Sequence, residues 1–214
     1  MSELLEIYDL KGKFLRIEER GKYYKAIKDE FSKKGKIKTQ VKRSTLILVN
    51  SRGHIVIQRR NKHKHENPGL FDKTIGGHVE EGHTFNLTII KECAEELGFP
   101  ASILSNKEFI KAIHHTDLRV VGLFRKIETI NNFQSVRVTK SGESFIQPYI
   151  HTTYIGYYDG PIQFIDGESS GIQLFSIKDL TEDIHVNPTE FTEDLKFMVK
   201  RYAKHLIPIK KNDK

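Results

Sequence analysis

The chain has 214 residues, 35 Lys+Arg against 28 Asp+Glu, a formal net charge of +7 and a single cysteine. That length suits one domain with a small extension and buries a core without disulfides, and one cysteine rules out an intramolecular disulfide and fits a reducing, cytoplasmic setting. No apolar run approaches the roughly 20 residues of a membrane-spanning helix, and the opening MSELLEIYDLKGK lacks the basic-then-apolar order of a signal peptide, so no membrane association is expected.

LEIYDLKGKFLRIEE predicts a hairpin turning at Lys11-Gly12, and YYKAIKDEFSKK predicts a helix that stops at Gly35. Residues 1–39 therefore read as an N-terminal extension, a hairpin plus a helix, ahead of a main domain over 40–214. STLILVN and HIVIQRR are predicted strands joined by SRG, ENPGLFDK is loop, and KTIGG is a short strand ending in glycines. A helix is predicted over 84–97, with Thr84 as N-cap and Gly98 as the stop. EFIKAIHHT, VVGLFRKIET, SFIQPYIHTTYIGYY and IQLFSI all read as β-type, with His114 and His115 ending a strand. INNFQSVRVTKSGESF is polar and reads either as a lid or as a long hairpin. TEFTEDLKFMVKRYAKHL predicts an amphipathic C-terminal helix with Phe191, Leu195, Met198, Val199 and Tyr202 on one side. The expectation is an α/β fold with a mixed sheet, one central helix and one terminal helix.

The basic excess lies partly in KKGKIKTQVKR (33–43), RRNKHKH (59–65) and the tail KHLIPIKKNDK. Such a balance favours anionic partners. Without zinc-ligand spacing, an RNA-binding aromatic signature or zipper heptads, a dedicated nucleic-acid reader is disfavoured.

The helix over 84–97 places Glu92, Glu95 and Glu96 on one face, where like charges at i,i+3 and i,i+4 repel. A hard divalent cation such as Mg²⁺, which prefers carboxylate oxygens, would relieve that repulsion. The plainer reading is a solvated acidic face with lysine neighbours. The opposite side carries Phe85, Ile89, Cys93 and Leu97, with Ile90 nearby, and is expected to be buried. Gly76 and Gly77 would let backbone approach a ligand or ion closely, and Gly82 permits the tight loop into the helix.

Aligned on Gly77, this stretch resembles the Nudix box, G-x5-E-x7-R-E-U-x-E-E-x-G-U, through Glu92, Cys93, Glu95, Glu96, Gly98 and Phe99. The resemblance implies a Nudix α/β/α sandwich with a mixed central sheet for residues 40–214. It further implies Mg²⁺, with Mn²⁺ as an alternative, held by Glu92, Glu95, Glu96 and Gly77, and catalysis carried by Glu95 and Glu96. Two positions depart: His83 stands for the early glutamate and Lys91 for the arginine. In the family those two steady the loop–helix–loop as an ion pair, so Glu80 or Glu81 is the candidate replacement partner.

HIVIQRRNKHKHENPGLFDKTIGGHVEEG resembles the Nudix branch that includes isopentenyl diphosphate isomerase, and the similarity covers roughly residues 40–205. The isomerase cysteine is replaced by Gly76, its upstream metal histidines are not apparent, and His78 alone matches that site, so an isomerase is disfavoured. The expected activity is Mg²⁺-dependent hydrolysis of a diphosphate linkage in a nucleoside diphosphate joined to another moiety, or in a related phosphorylated metabolite. Arg59, Arg60, Lys62 and His78 are the candidate substrate-binding residues. Glu168, in the glycine-flanked DGESSG, is the candidate general base. The alternative, favoured by the altered box, is a catalytically weak or inactive ligand-binding or regulatory protein of the same fold. Members of the family often form homodimers, and the sequence leaves that open here.

Overall fold

The computed structural model describes residues 3–163 and 169–210. In chain order they form β1 (Leu4–Asp9), β2 (Phe14–Glu19), α1 (Arg20–Lys34), β3 (Thr39–Val49), β4 (Ile55–Arg60), β5 (Phe71–Asp72), β6 (Ile75–His78) and α2 (Phe85–Glu96). There follow β7 (Ala101–Ile103), α3 (Asn106–Ala112), β8 (Gly122–Val138), β9 (Ser144–Tyr157), β10 (Ser169–Phe175), α4 (Ile177–Val186) and α5 (Glu193–Tyr202).

One mixed sheet runs β10-β4-β3-β9-β8-β7, with β3 parallel to β9 and antiparallel to β4. The long strand β3 also carries β1 and β6 along its length. Its residues alternate between the two faces, and both faces are covered, which is why STLILV reads as an unbroken apolar run. On one face α2 lays Ile89, Cys93 and Leu97 against Leu46, Leu48, Ile75 and Tyr154. On the other, α4 and α5 bring Leu180, Leu195, Met198 and Tyr202 onto Ile47, Val49, Ile55, Ile57 and Ile155. The arrangement is the α/β/α sandwich. Ile90, expected in the buried stripe of α2, is instead 37% exposed, because the stripe at i, i+4, i+8 through Ile89, Cys93 and Leu97 leaves it on the flank.

Three local expectations are corrected. The strand expected over EFIKAIHHT is the helix α3: Ser105 caps it, and a reciprocal capping box with Glu108 overrides the alternating apolar pattern. His114 and His115 consequently lie in the turn after α3 rather than at a strand end. An additional helix, α4, follows β10, nucleated by Ser176, whose hydroxyl accepts from the Asp179 amide at 3.1 Å. The loop over ENPGLFDK also contains the two-residue strand β5, which pairs with β4. The polar stretch from Ile130 to Phe145 is the far half of a long β8–β9 hairpin, with an Asn132 bulge at φ 56°.

The N-terminal hairpin and helix form as expected, and they are built into the sheet. β1 extends the edge of β3 through Ile7↔Val41. Tyr23 and Ile27 of α1 pack on Leu5, Ile7, Val41, Phe145 and Tyr149. Ile27→Ala is expected to lower stability by about 2–4 kcal/mol, as for other buried large-to-small changes. Urea unfolding should show this as an earlier single transition, whereas a separate early phase confined to residues 1–39 would show that α1 docks independently of the sheet.

Candidate active site

β6 has only four residues, and they pair with β3 as Ile75↔Leu46, Gly76↔Thr45, Gly77↔Ser44 and His78↔Arg43. Strand alternation sends Ile75 and Gly77 toward α2, and Gly76 and His78 toward the opposite face. A cleft of about 520 Å³ wraps this short strand, lined from both sides.

The α2 side is acidic. Glu92, Glu95 and Glu96 all line the cleft. The helix that carries them is capped by Thr84, whose hydroxyl accepts from the Leu87 amide at 3.1 Å, and is fastened to β3 by Ser44 Oγ donating to the Phe85 carbonyl at 3.0 Å. A Cβ on Gly77 would lie 2.6 Å from Glu92 Cδ, overlapping its carboxylate, so only glycine lets that carboxylate rest on the strand. Three carboxylates beside a bare backbone are hard oxygen donors, the set that Mg²⁺ or Mn²⁺ takes. Among the described residues no three acid, histidine or cysteine side chains converge on one point, so a cation would draw the three glutamates together.

The two altered box positions share one carboxylate. Lys91 Nζ donates to Glu80 Oε1 at 2.7 Å, and His83 Nδ1 lies 3.8 Å from the same oxygen. The Lys91 hydrogen bond holds the Glu80 carboxyl below its ordinary pKa, and Glu80 raises that of Lys91. Glu80, not His83, thus closes the loop onto α2.

The opposite side is basic and aromatic. His78 Nε2 lies 2.5 Å from the Tyr24 hydroxyl, which accepts from Gln147 Nε2 at 2.9 Å. Burial, reinforced by Arg20, Arg43, Arg137 and Lys73, holds the His78 imidazole well below its ordinary pKa, so it is neutral and accepts from Tyr24. Beneath it, Arg43 and Arg137 both lie over the Tyr149 ring, at 5.2 and 5.6 Å from its centroid.

Of the residues singled out from sequence, Glu92, Glu95, Glu96, Gly77, His78 and Arg60 share this cleft. Arg60 donates to the Glu66 carbonyl at 2.9 Å and lies 3.4 Å from Asp72. Its neighbour Arg59 points elsewhere: it stacks on Phe71 at 4.7 Å and donates to Gly69 O and Glu190, both at 3.0 Å. Lys62 is exposed and does not line the cleft, where Lys64 takes a place instead. Glu168 lies outside the described residues. Arg43, Arg137, Tyr24 and Tyr149 were not legible as site residues, since each sits in a strand or helix far along the chain and only the sheet register gathers them.

The family model for the NUDIX domain matches residues 39–195. An uncharacterised Nudix hydrolase of Pseudomonas aeruginosa is 37% identical over 59 residues, 28% of this chain and 35% of that protein. An isopentenyl-diphosphate Delta-isomerase of Klebsiella pneumoniae is 33% identical over 55 residues, 26% of this chain and 30% of the isomerase. The chain thus spans about a third of the length of the curated relatives it matches. Among solved structures, a protein of Deinococcus radiodurans superposes with a TM-score of 0.63 at 19% identity, covering 93% of this chain and 98% of the other. A bifunctional NMN adenylyltransferase/ADP ribose pyrophosphatase of Francisella tularensis, complexed with AMP and manganese, gives a TM-score of 0.50 at 17% identity, covering 87% of this chain and 47% of the other.

The Glu80–Lys91 pair is partly exposed, so a double-mutant cycle of Glu80→Gln and Lys91→Gln is expected to give a coupling of only about 0.5 kcal/mol at pH 7. Because the Glu80 carboxyl is held below 4.5, that stability is complete above the ordinary carboxylate pKa and is lost as pH falls through the folded value. Urea unfolding at several pH values checks it, and a coupling unchanged at acid pH would mean the two side chains interact through something other than charge.

Proposed function

The chain belongs to the Nudix family, and from that premise we propose that it is a divalent-cation-dependent hydrolase of a diphosphate linkage in a small phosphorylated metabolite. The observation that carries this reading is the acidic face of α2, with Glu92, Glu95 and Glu96 opening into a cleft whose wall Gly77 leaves bare. Glu92, Glu95 and Glu96, with the Gly77 carbonyl, would hold Mg²⁺ or Mn²⁺. When bound, such a cation neutralises phosphate charge and lowers the pKa of a bound water.

The chain's own residues supply the rest. Arg60 and Lys64 line the cleft beside the glutamates and can donate to phosphate oxygens. Neutral His78 holds no charge against an anionic substrate, and its hydrogen bond to Tyr24 fixes the ring. The Glu80–Lys91 contact replaces the box ion pair and keeps the loop into α2 in place.

Two other readings are weighed by specific residues. An inactive, ligand-binding role draws on the lack of a preformed three-ligand cluster among the described residues. The isomerase reading needs a thiol in the cleft, yet the one cysteine, Cys93, is fully buried under α2, where burial pushes its thiol pKa up. A side chain at position 76 would also crowd Ser44 O and Thr45 Oγ1, each 3.1 Å from a Cβ placed there.

Hydrolysis of a panel of diphosphate compounds with Mg²⁺ or Mn²⁺ tests the proposal. Glu95→Gln and Glu96→Gln are each expected to cut turnover by about a hundredfold or more, given that even indirect changes at metal sites cost about 10–100-fold. Calorimetric titration with Mn²⁺ should show weakened binding in both variants. Metal affinity equal to the parent's in both, or no turnover with any diphosphate, would contradict it.

A further inference from the structure

Arg43 and Arg137 are 4% exposed, yet both line the cleft. Their counter-charge is thin. Asp194 Oδ2 accepts from Arg43 Nη1 at 2.9 Å, stands 3.8 Å from Arg137 Nη2, and is 4.0 Å from the buried Lys73. Asp72 is taken by Lys73 at 2.8 Å and by Arg60 at 3.4 Å. Two buried aspartates thus serve four cations. Glu66 stands 3.9 Å from Arg137 Nε and is also 3.4 Å from Lys28. Arg137 Nε is itself buried and finds no hydrogen-bond partner among the described residues. Burying excess positive charge and an unmade donor is costly unless an anion completes the set.

Position separates this group from the carboxylates of α2. Arg43 pairs with His78, on the face of β6 opposite Gly77 and Glu92. The planar forks of two arginines, stacked on one tyrosine, match the oxygens of a tetrahedral dianion. We infer that Arg43 and Arg137 form a metal-independent subsite for a phosphate group, distinct from the acidic wall. Resting on the hydrolase reading, this makes the substrate a diphosphate that carries a further phosphate on one of its moieties. The metal wall takes the scissile linkage, and the arginine floor takes the remote group and sets which moiety lies on that side.

The test is calorimetric titration of the full-length, metal-free protein with inorganic phosphate at constant ionic strength in chloride. The parent is expected to bind. Arg137→Lys keeps a charge beside Asp194, so it should fold, as near-UV circular dichroism will show, and it should bind phosphate about tenfold more weakly through loss of the fork. Arg43→Lys should behave alike, while Glu95→Gln, which removes a negative charge from the cleft and no donor from the arginine pair, should bind phosphate at least as tightly as the parent. No phosphate binding without metal, or binding unchanged in folded Arg137→Lys, would overturn the subsite. Turnover of a diphosphate by a protein that fails to bind phosphate would remove this inference and leave the hydrolase reading. Phosphate binding without turnover would do the reverse.

Discussion

One buried carboxylate holds the site's floor and the fold's last helix together. Asp194, in the first turn of α5, accepts from Ser135 Oγ of β8 at 2.7 and 2.8 Å and from Arg43 of β3 at 2.9 Å. Burial alone would raise its pKa, but Arg137, Arg43 and Lys73 together hold it below the ordinary value, so it stays ionised. The same crowding works the other way on Lys73, whose ammonium is pressed by burial and by Arg43 to a pKa of about 7. Replacing Asp194 would leave Asp72 as the one buried aspartate for the same four basic side chains, the kind of loss that costs far more than the pair itself contributes. The C-terminal helix is therefore part of the cleft's construction although it does not line it.

Around that anchor, a four-residue strand sorts the chemistry. Alternation along β6 puts Gly77 under Glu92 on one face and His78 beside Arg43 on the other. The carboxylates of α2 and the guanidiniums of Arg43 and Arg137 consequently enter one cleft from opposite faces of β6. The N-terminal hairpin and α1 complete it: Arg20, Tyr24 and Lys28 reach the cleft only because Tyr23 and Ile27, on the next face of the helix, are buried against β1, β3 and β9.

Local signals in the sequence carried much of this. The glycine pair, the Thr84 cap and the spacing of Glu92, Glu95 and Glu96 marked the acidic helix, because its chemistry lies within one contiguous stretch. The buried stripe of α5 was legible for the same reason. The helix α3 is hard to read because a short apolar run fits both periods, and only the Ser105–Glu108 box decides between them. Arg59 and Arg60 are adjacent in sequence, yet strand alternation sends the two to opposite faces. Arg43, Arg137 and Tyr149 lie on three strands brought together by a parallel pairing of β3 with β9, and no local pattern encodes that register.

The central claim is that the acidic face of α2 binds a divalent cation beside β6. Paramagnetic broadening of backbone amide signals by substoichiometric Mn²⁺ tests it without any assumption about substrate. The account predicts selective loss of the amides of Gly76, Gly77, His78 and Glu92 to Glu96, with α4 and its acids Glu182 and Asp183 unaffected. Uniform broadening, or broadening centred on α4 or another acidic surface, would contradict it.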